Sequence, residues 1–170
     1  AISWKGIDEN LYYFIGKDKN YQDVSGCGNT IAANRGLVRK LIIESLKCWA
    51  SELGVDGFRF DLGIALSRGE NLSPLDNPPI FEDIECEPEL IDIKFISEPW
   101  DCGGLYKLGD FPSKNTFTWN GHFRDDLRRF WKGDKDTAWN MSDKIKGTPS
   151  IYKEDNIFPK SINFITSHDG

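Results

Sequence analysis

A run of alternating side chains predicts the central strand of the chain. Residues 55–62 interleave apolar and charged positions, with the largest apolar groups two residues apart. Alternate residues of a strand share a face. Phe58 and Phe60 are therefore expected to pack under helices, while Arg59 and Asp61 point the other way. A guanidinium beside a carboxylate suits either a catalytic group or a structural ion pair.

A helix is predicted immediately before this strand. Apolar residues recur at four-residue spacing from Leu37 to Leu53, which is the pattern of an amphipathic helix. Asn34 is expected to be its N-cap, and Gly54 fits the position just after its last turn. A helix, a glycine and an apolar strand in succession form half of a βαβ unit, which predicts an α/β fold.

The remaining pattern adds shorter elements. The first 33 residues look loop-like, with one short strand near residues 12–14. Strands are expected at 91–98, 117–119 and 161–167, and helices at 80–90, 123–131 and 137–146. Pro99 ends the strand at 91–98 because proline cannot donate to the sheet ladder. Glu98 thus falls at a strand's carboxyl end, as Asp61 does.

The spacing of three acids predicts a partial barrel. A (β/α)8 barrel has roughly 31 residues per unit. Asp61 and Glu98 are 37 positions apart, which is near one unit, and Glu98 and Asp169 are 71 apart, near two. The acids would then end strands n, n+1 and n+3 of a parallel barrel. The active sites of such barrels gather at that face.

Composition narrows the classes of partner. The chain has 170 residues, of which 39% are hydrophobic and 28% charged, which predicts one globular domain. Its formal net charge is −6 and it has no basic cluster, so nucleic acid and anionic membranes are not expected partners. No apolar run reaches the length of a membrane span, and a signal peptide is not expected from the first residues given.

The cysteines and aromatic residues indicate the class of protein less clearly than the charge does. The four cysteines show no close pairing, which argues against a disulfide framework or a zinc site, so buried free thiols are expected. Six tryptophans and eleven phenylalanines are many for this length. They could form the core or serve as platforms for a flat ligand such as a sugar ring.

Three acids of this kind can carry out glycoside hydrolysis, which needs two carboxyl groups in opposite protonation states. Asp61, beside Arg59, suits the ionised role. Glu98 follows an apolar strand and precedes Trp100, so partial desolvation should raise its pKa and suit it to general acid catalysis. Asp169 could grip sugar hydroxyls. Taken singly, Asp61 could equally belong to a structural ion pair, and Glu98 would more often be a surface or ion-paired glutamate.

Two other chemistries fit the sequence poorly. His168 lies between a serine and an aspartate, but adjacent residues cannot point their side chains at one another as a catalytic triad requires. A hydrolytic metal centre would want several histidines and carboxylates together. The only histidines, His122 and His168, are far apart in sequence.

A glycine-containing segment at residues 25–30 resembles the start of a dinucleotide-binding loop. Ile31 stands where the third glycine would be, and no clear strand precedes the segment. A turn that brings its backbone and Asn29 close to a ligand or to a neighbouring loop fits better.

Five segments in order resemble a known family. The sequences Gly-Phe-Arg-Phe-Asp at 57–61, Ser-Glu-Pro-Trp at 97–100 and Ser-His-Asp at 167–169 look like conserved regions of the α-amylase superfamily, glycoside hydrolase family thirteen. The chain resembles more narrowly the isoamylases and bacterial glycogen-debranching enzymes. The segments that carry this resemblance are 25–30, 55–62, 98–104, 119–125 and 163–170.

The resemblance implies a retaining mechanism that hydrolyses α-1,6 branch linkages in glycogen-type or amylopectin-type glucans. Asp61 would be the nucleophile, Glu98 the acid/base and Asp169 the transition-state stabiliser. No cofactor or metal is expected. An α-1,4-glucan hydrolase, a glucanotransferase and a catalytically silent glucan-binding subunit remain alternatives. The substrate-binding residues implied by the resemblance are Arg59, His168, Trp100, Asn29 and Trp119.

The resemblance also implies an incomplete domain. Residues 1–170 would be the central part of a (β/α)8 TIM barrel, roughly its strands 4 to 7, cut from a longer catalytic domain. The expected partner is a branched α-glucan, with homo- or hetero-oligomers formed by the full-length protein. A bacterial cytoplasm or a plastid stroma would suit such an enzyme.

Overall fold

Four parallel strands form the centre of the fold. The computed structural model describes residues 4–152 and 160–169. The strands are β1 (Gly57–Phe60), β2 (Lys94–Ser97), β3 (Thr116–Trp119) and β4 (Ser161–Ile162), and they pair in the order β1-β2-β3-β4. Every pairing is parallel, with Phe58 opposite Phe95 in the first. The expected α/β class with a parallel sheet is confirmed.

Helices connect and cover these strands. Short 3₁₀ turns occupy Gly63–Ser67, Glu70–Leu72 and Pro88–Leu90. Among the described residues, no helix combines the length and the apolar character needed to cross a bilayer. The α-helices are α1 (Lys5–Tyr12), α2 (Gly36–Lys47), α3 (Pro79–Cys86), α4 (Gly121–Lys132) and α5 (Ala138–Ile145).

The core forms on the face of the sheet that carries the phenylalanines. The rings of Phe58 and Phe60 each stack on that of Phe95, with centroids 6.0 Å apart. Burying a side chain of this size stabilises the fold by about 1.5–3 kcal/mol, so these three rings fix how the sheet packs. Buried residues from α2, α3 and the following 3₁₀ turn surround Phe95, namely Leu46, Ile80, Phe81, Ile84 and Leu90.

The long helix differs from the prediction at both ends. Arg35, not Asn34, occupies the N-cap, and no side chain caps the helix. The side-chain nitrogen of Asn34, Nδ2, instead donates to Glu70. Asn34 Oδ1, the atom that an N-cap would use as acceptor, is buried without a hydrogen-bond partner. At the other end the last turns widen into a π-helix over Cys48–Glu52. Gly54, at φ +70°, then reverses the chain as expected.

Other predicted elements shift or shorten. The segment expected to be loop-like begins with α1, and its expected strand is reduced to one bridge between Tyr13 and Ile31. The strand expected over 161–167 pairs only at Ser161–Ile162, because only two residues of it match the register of β3. The expectation of buried thiols is wrong. All four cysteines are exposed and free, since Cys27 and Cys102 lie in loops and Cys48 and Cys86 lie on exposed faces of helical segments.

We predict that Asn120→Ala destabilises the fold by about 2 kcal/mol, because it removes a helix cap and leaves buried groups unpaired. Asn120 is fully buried, and its Oδ1 accepts the amide of Phe123 at 2.9 Å. Its Nδ2 donates to Thr148 and Ser161, so one side chain joins α4 to β4. Urea unfolding measures the change. The exposed Asn115→Ala should alter stability by under about 0.5 kcal/mol, and equal losses in both variants would contradict the assignment.

Candidate active site

The sheet brings the predicted acids to one edge. Asp61 follows the last residue of β1, and Glu98 follows the last residue of β2. His168 and Asp169 lie a few residues beyond β4. Because parallel strands end at the same edge of a sheet, all four residues lie at its carboxyl-end rim. The acids follow the first, second and fourth strands, which is the order that their spacing predicts.

Arg59 joins the first two acids. Its Nη1 donates to Asp61 Oδ1 at 2.8 Å, and its Nη2 contacts Glu98 Oε1. The guanidinium also lies over the indole of Trp119, 4.4 Å from the ring centroid. The pairing with Asp61 follows from strand alternation. The pairing with Glu98 depends on the register of β1 and β2, in which Arg59 lies opposite Ile96.

Glu98 is the buried member of the site. Its side chain is 1% exposed, whereas that of Asp61 is 65% exposed. Burial is the largest influence on the pKa of Glu98 and raises it. The amide of Leu62 and the charge of Arg59 lower this pKa, and the charges of Asp61 and Asp169 raise it. The two neighbouring carboxyl groups therefore occupy different environments, one buried and one exposed at the rim.

A strained turn supplies the hydrogen bond to Glu98. Leu62 has φ +45°, in the left-handed region that costs a non-glycine residue about 1–2 kcal/mol. This conformation points its amide at Glu98 Oε2, 2.7 Å away. The next residue must be glycine, because a Cβ on Gly63 would lie 1.9 Å from Ser97 Oγ. The turn that displays Asp61 thus also holds Glu98, which alternation alone does not predict.

His168 links the exposed acids. Its Nε2 lies 3.3 Å from Asp61 Oδ1 and 3.3 Å from Asp169 Oδ1. All three side chains are exposed at the rim, where a ligand could reach them. Asp169 therefore joins the group through His168, and both carboxylates can accept hydrogen bonds from a neutral sugar.

The same cluster meets the spacing of a cation site. One ligand atom each from Asp61, Glu98 and His168 lie within 4.8 Å of one another. Arg59, however, already contacts both carboxylates and balances the negative charge that a metal would balance. The donor set therefore fits a guanidinium-bridged pair of carboxylates better than a metal centre.

Aromatic rings form a wall beside the acids. Phe164 lies between two tryptophans, with its centroid 4.9 Å from that of Trp119 and 6.4 Å from that of Trp100. Tyr106 packs on the other side of Trp100, 5.9 Å away. The sequence pattern indicates the two tryptophans but neither Phe164 nor Tyr106. Phe164 lies within the segment 163–170 that carries the family resemblance, which is the signal that could have identified it.

Asn29 lies in a buried part of a neighbouring loop. It is 6% exposed, and its carbonyl accepts the hydroxyl of Ser25 at 2.6 Å. The loop is anchored on the segment that follows Glu98, because Cys102 donates its amide to the carbonyl of Val24 at 2.8 Å. The expected turn near a neighbouring loop is therefore present, while contact of Asn29 with a ligand stays a prediction.

A cavity among the described residues lies away from these acids. It has a volume of about 750 Å³ and is lined by Thr116, Thr118 and Tyr152 among others. The two threonines alternate with Trp119 along β3 and so point to the opposite face of the sheet. The acids instead lie at the carboxyl-end rim, where Asp61, His168 and Asp169 are exposed.

Comparison with known proteins gives close relatives along the whole chain. No protein-family model matches it. It is 43% identical over 172 residues to rice isoamylase 3 and 37% identical over 189 residues to Arabidopsis isoamylase 1, both named as chloroplastic. It is also 37% identical to the GlgX homologue, a glycogen operon protein, of Haemophilus influenzae. These matches cover 99–100% of the chain but only 22–26% of the relatives.

Solved structures give the same fold. A pullulanase from Anoxybacillus, solved with maltotetraose, superposes on this chain with a TM-score of 0.73 at 22% sequence identity. The superposition covers 96% of this chain and 25% of the pullulanase chain. The pullulanase of Bacillus acidopullulyticus superposes over 92% of the chain and 20% of its own with a TM-score of 0.69 and 24% identity. The resemblance to isoamylases and bacterial glycogen-debranching proteins is confirmed, and the chain corresponds to about a quarter of the length of proteins of that family.

Proposed function

We propose that this chain carries the catalytic centre of a retaining glycoside hydrolase that cleaves α-1,6 branch linkages in glycogen-type and amylopectin-type glucans. One observation carries the proposal. Asp61 and Glu98 present ligand atoms within 4.8 Å of each other, one carboxyl exposed and the other buried. Retaining glycosidases keep their two carboxyl groups about 5–5.5 Å apart, because the nucleophile attacks directly and no water stands between them.

The proposed reaction assigns one proton donor and one nucleophile. A carboxylate oxygen of Asp61 bonds to the anomeric carbon while Glu98 gives its proton to the departing glycosidic oxygen. Water then attacks the same carbon, Glu98 takes the proton from that water, and the bond to Asp61 breaks. Arg59 would keep the two carboxyl groups at a fixed separation during both steps, since it contacts each of them.

The rim residues would bind the sugar. His168 can donate a hydrogen bond to a hydroxyl group, and Asp169 can accept one that strengthens as the ring flattens in the transition state. Trp100 and Trp119 would form apolar platforms for glucose rings. Asn29 would support the neighbouring loop that borders the glucan.

The preference for branch points rests on the relatives. Relatives that the chain matches at 37–43% identity are named isoamylases and glycogen operon proteins, and one pullulanase of the same fold was solved with maltotetraose. Retention of all three acids favours an enzyme over a silent glucan-binding subunit. An α-1,4-glucan hydrolase or glucanotransferase would use the same acids, so the substrate must be tested directly.

The four parallel strands would be roughly strands 4 to 7 of a (β/α)8 barrel, and residues 1–170 part of that catalytic domain. The full-length protein would act on a branched α-glucan, alone or in a homo- or hetero-oligomer. A plastid stroma or a bacterial cytoplasm would hold its substrate. The plant relatives, which are named chloroplastic, support the first of these.

Chain-length profiling of the full-length protein tests the proposed specificity. With amylopectin or glycogen as substrate, linear chains should be released, whereas linear amylose should keep its length. Reducing-end assays and chromatography of the products measure both. Shortened amylose would favour the α-1,4 hydrolase, and chains transferred to new ends would favour the transferase.

Asp61→Asn should lower kcat by at least about 10³-fold, because an amide cannot form the covalent intermediate. Stability should change little, since this side chain is exposed at the rim. The matched control is Asp92→Asn, an exposed aspartate just before β2 at the opposite edge of the sheet. Turnover and thermal unfolding of both variants decide the role, and near-normal turnover of Asp61→Asn would remove Asp61 from it.

The pH profile should report Glu98. A general acid must hold a proton, and burial raises the pKa of Glu98 above its ordinary value of 4.5. The alkaline limb of kcat/KM, which follows the free enzyme, should therefore lie above pH 4.5. In Glu98→Gln the rate should fall about 10²–10⁴-fold and the limb should vanish. A limb that persists unchanged in this variant would assign the acid to another residue.

A further inference from the structure

A buried ion pair lies behind the proposed site without touching its acids in the described contacts. Arg68 Nε and Nη2 both donate to Asp101 Oδ2, at 2.9 Å and 2.8 Å. The side chains are 9% and 0% exposed. Buried pairs of this kind are often no more stabilising than apolar residues of the same size. Stability alone therefore gives a weak reason for the pair.

Asp101 shapes the segment that follows Glu98. Its Oδ1 accepts the amides of Gly103 and Leu105, at 2.9 Å and 3.0 Å, and so closes a tight turn. Just outside this turn, Trp100 and Tyr106 form an antiparallel bridge. Residues 99–107, called the 99–107 turn below, are thus folded back on themselves with two aromatic side chains at the base.

Arg68 ties this turn to the loop that contains Arg68 itself and follows Asp61. Its Nη1 donates to the carbonyl of Leu72 at 2.8 Å, within the loop that follows Asp61. The loop at Val24 packs against the same place, since a Cβ on Gly103 would lie 2.5 Å from Val24 Cγ1 and 3.2 Å from Arg68 Nη2. One guanidinium therefore holds together the loops that leave β1 and β2.

The 99–107 turn carries part of the aromatic wall. The ring of Trp100 stacks at 29° on that of Phe164, and Tyr106 packs against both Trp100 and His122. Glu98 is held separately, by Arg59 and the amide of Leu62. A change in the 99–107 turn should thus move the rings and leave the acids in place.

We propose that Arg68 and Asp101 are positioning residues that hold Trp100 and Tyr106 where glucose rings stack on them. The inference rests on the proposed function, because it assumes an α-glucan as ligand. The two residues act on binding through the aromatic wall and touch neither the substrate nor the reacting atoms.

Conservative variants of the full-length protein test this role. Arg68→Lys keeps the charge but loses the two-pronged contact, and Asp101→Asn keeps the shape but loses the charge. Each should raise KM for amylopectin by about tenfold, change kcat less, and keep the alkaline limb assigned to Glu98. A purely structural role would reduce the folded, active fraction, which lowers kcat and leaves KM unchanged.

Chemical rescue gives a second readout. In Arg68→Ala, millimolar methylguanidinium should restore KM towards the wild-type value, whereas methylammonium should not. Only methylguanidinium has the planar group with several N–H donors that Arg68 uses to bind Asp101. Where Arg68→Ala does not fold, Arg68→Lys decides. The matched control is Glu70→Gln, two residues away, which alters an exposed ion pair with Arg35 and should leave KM unchanged.

Calorimetric binding of maltotetraose separates the two proposals. Wild-type protein that debranches amylopectin, together with folded Arg68→Lys and Asp101→Asn variants of unchanged KM and maltotetraose affinity, would overturn the positioning role alone. Wild-type protein that neither binds maltotetraose nor debranches would overturn the proposed function and this inference with it. Weakened maltotetraose binding in both variants supports the positioning role.

Discussion

The contact of one guanidinium with two carboxyl groups is the interaction on which the site depends. Arg59 bridges an exposed acid at the end of β1 and a buried acid at the end of β2. Without it, Glu98 and Asp61 would repel each other at close range. With it, the two stay adjacent while burial still raises the pKa of Glu98. The proposed division between nucleophile and proton donor follows from this balance.

The sequence predicts that the acids meet at the carboxyl-end edge of the sheet, because the alternation of side chains and the spacing of the acids lead to the same arrangement. Alternation along β1 places Arg59 and Asp61 on one face, and the spacing of the acids matches whole βα units. Both patterns depend only on backbone geometry, and so the strand order could be predicted. The opposite face of the same strand carries Phe58 and Phe60, and both pack against the core as predicted, because large apolar side chains favour burial.

Features that depend on contacts between distant segments could not be predicted. The left-handed conformation of Leu62 points its amide at Glu98, 36 positions along the chain, and no local pattern encodes that pairing. Asn34 leaves the expected helix cap because its amide turns to Glu70. The ion pair of Arg68 and Asp101 spans 33 positions, and its meaning depends on which loops it joins. Propensity and periodicity carry none of this information.

The stacking around Trp119 gives the site an optical property of its own. Its indole has a guanidinium 4.4 Å from the ring centroid and the ring of Phe164 4.9 Å away. A charge held over an indole shifts its electronic transitions, and neighbouring rings in fixed orientation couple to them. We therefore expect the near-ultraviolet circular dichroism of this protein to contain a contribution from the rim itself. The proposed glucan ligand would displace or cover the indole and so change that signal without any added label.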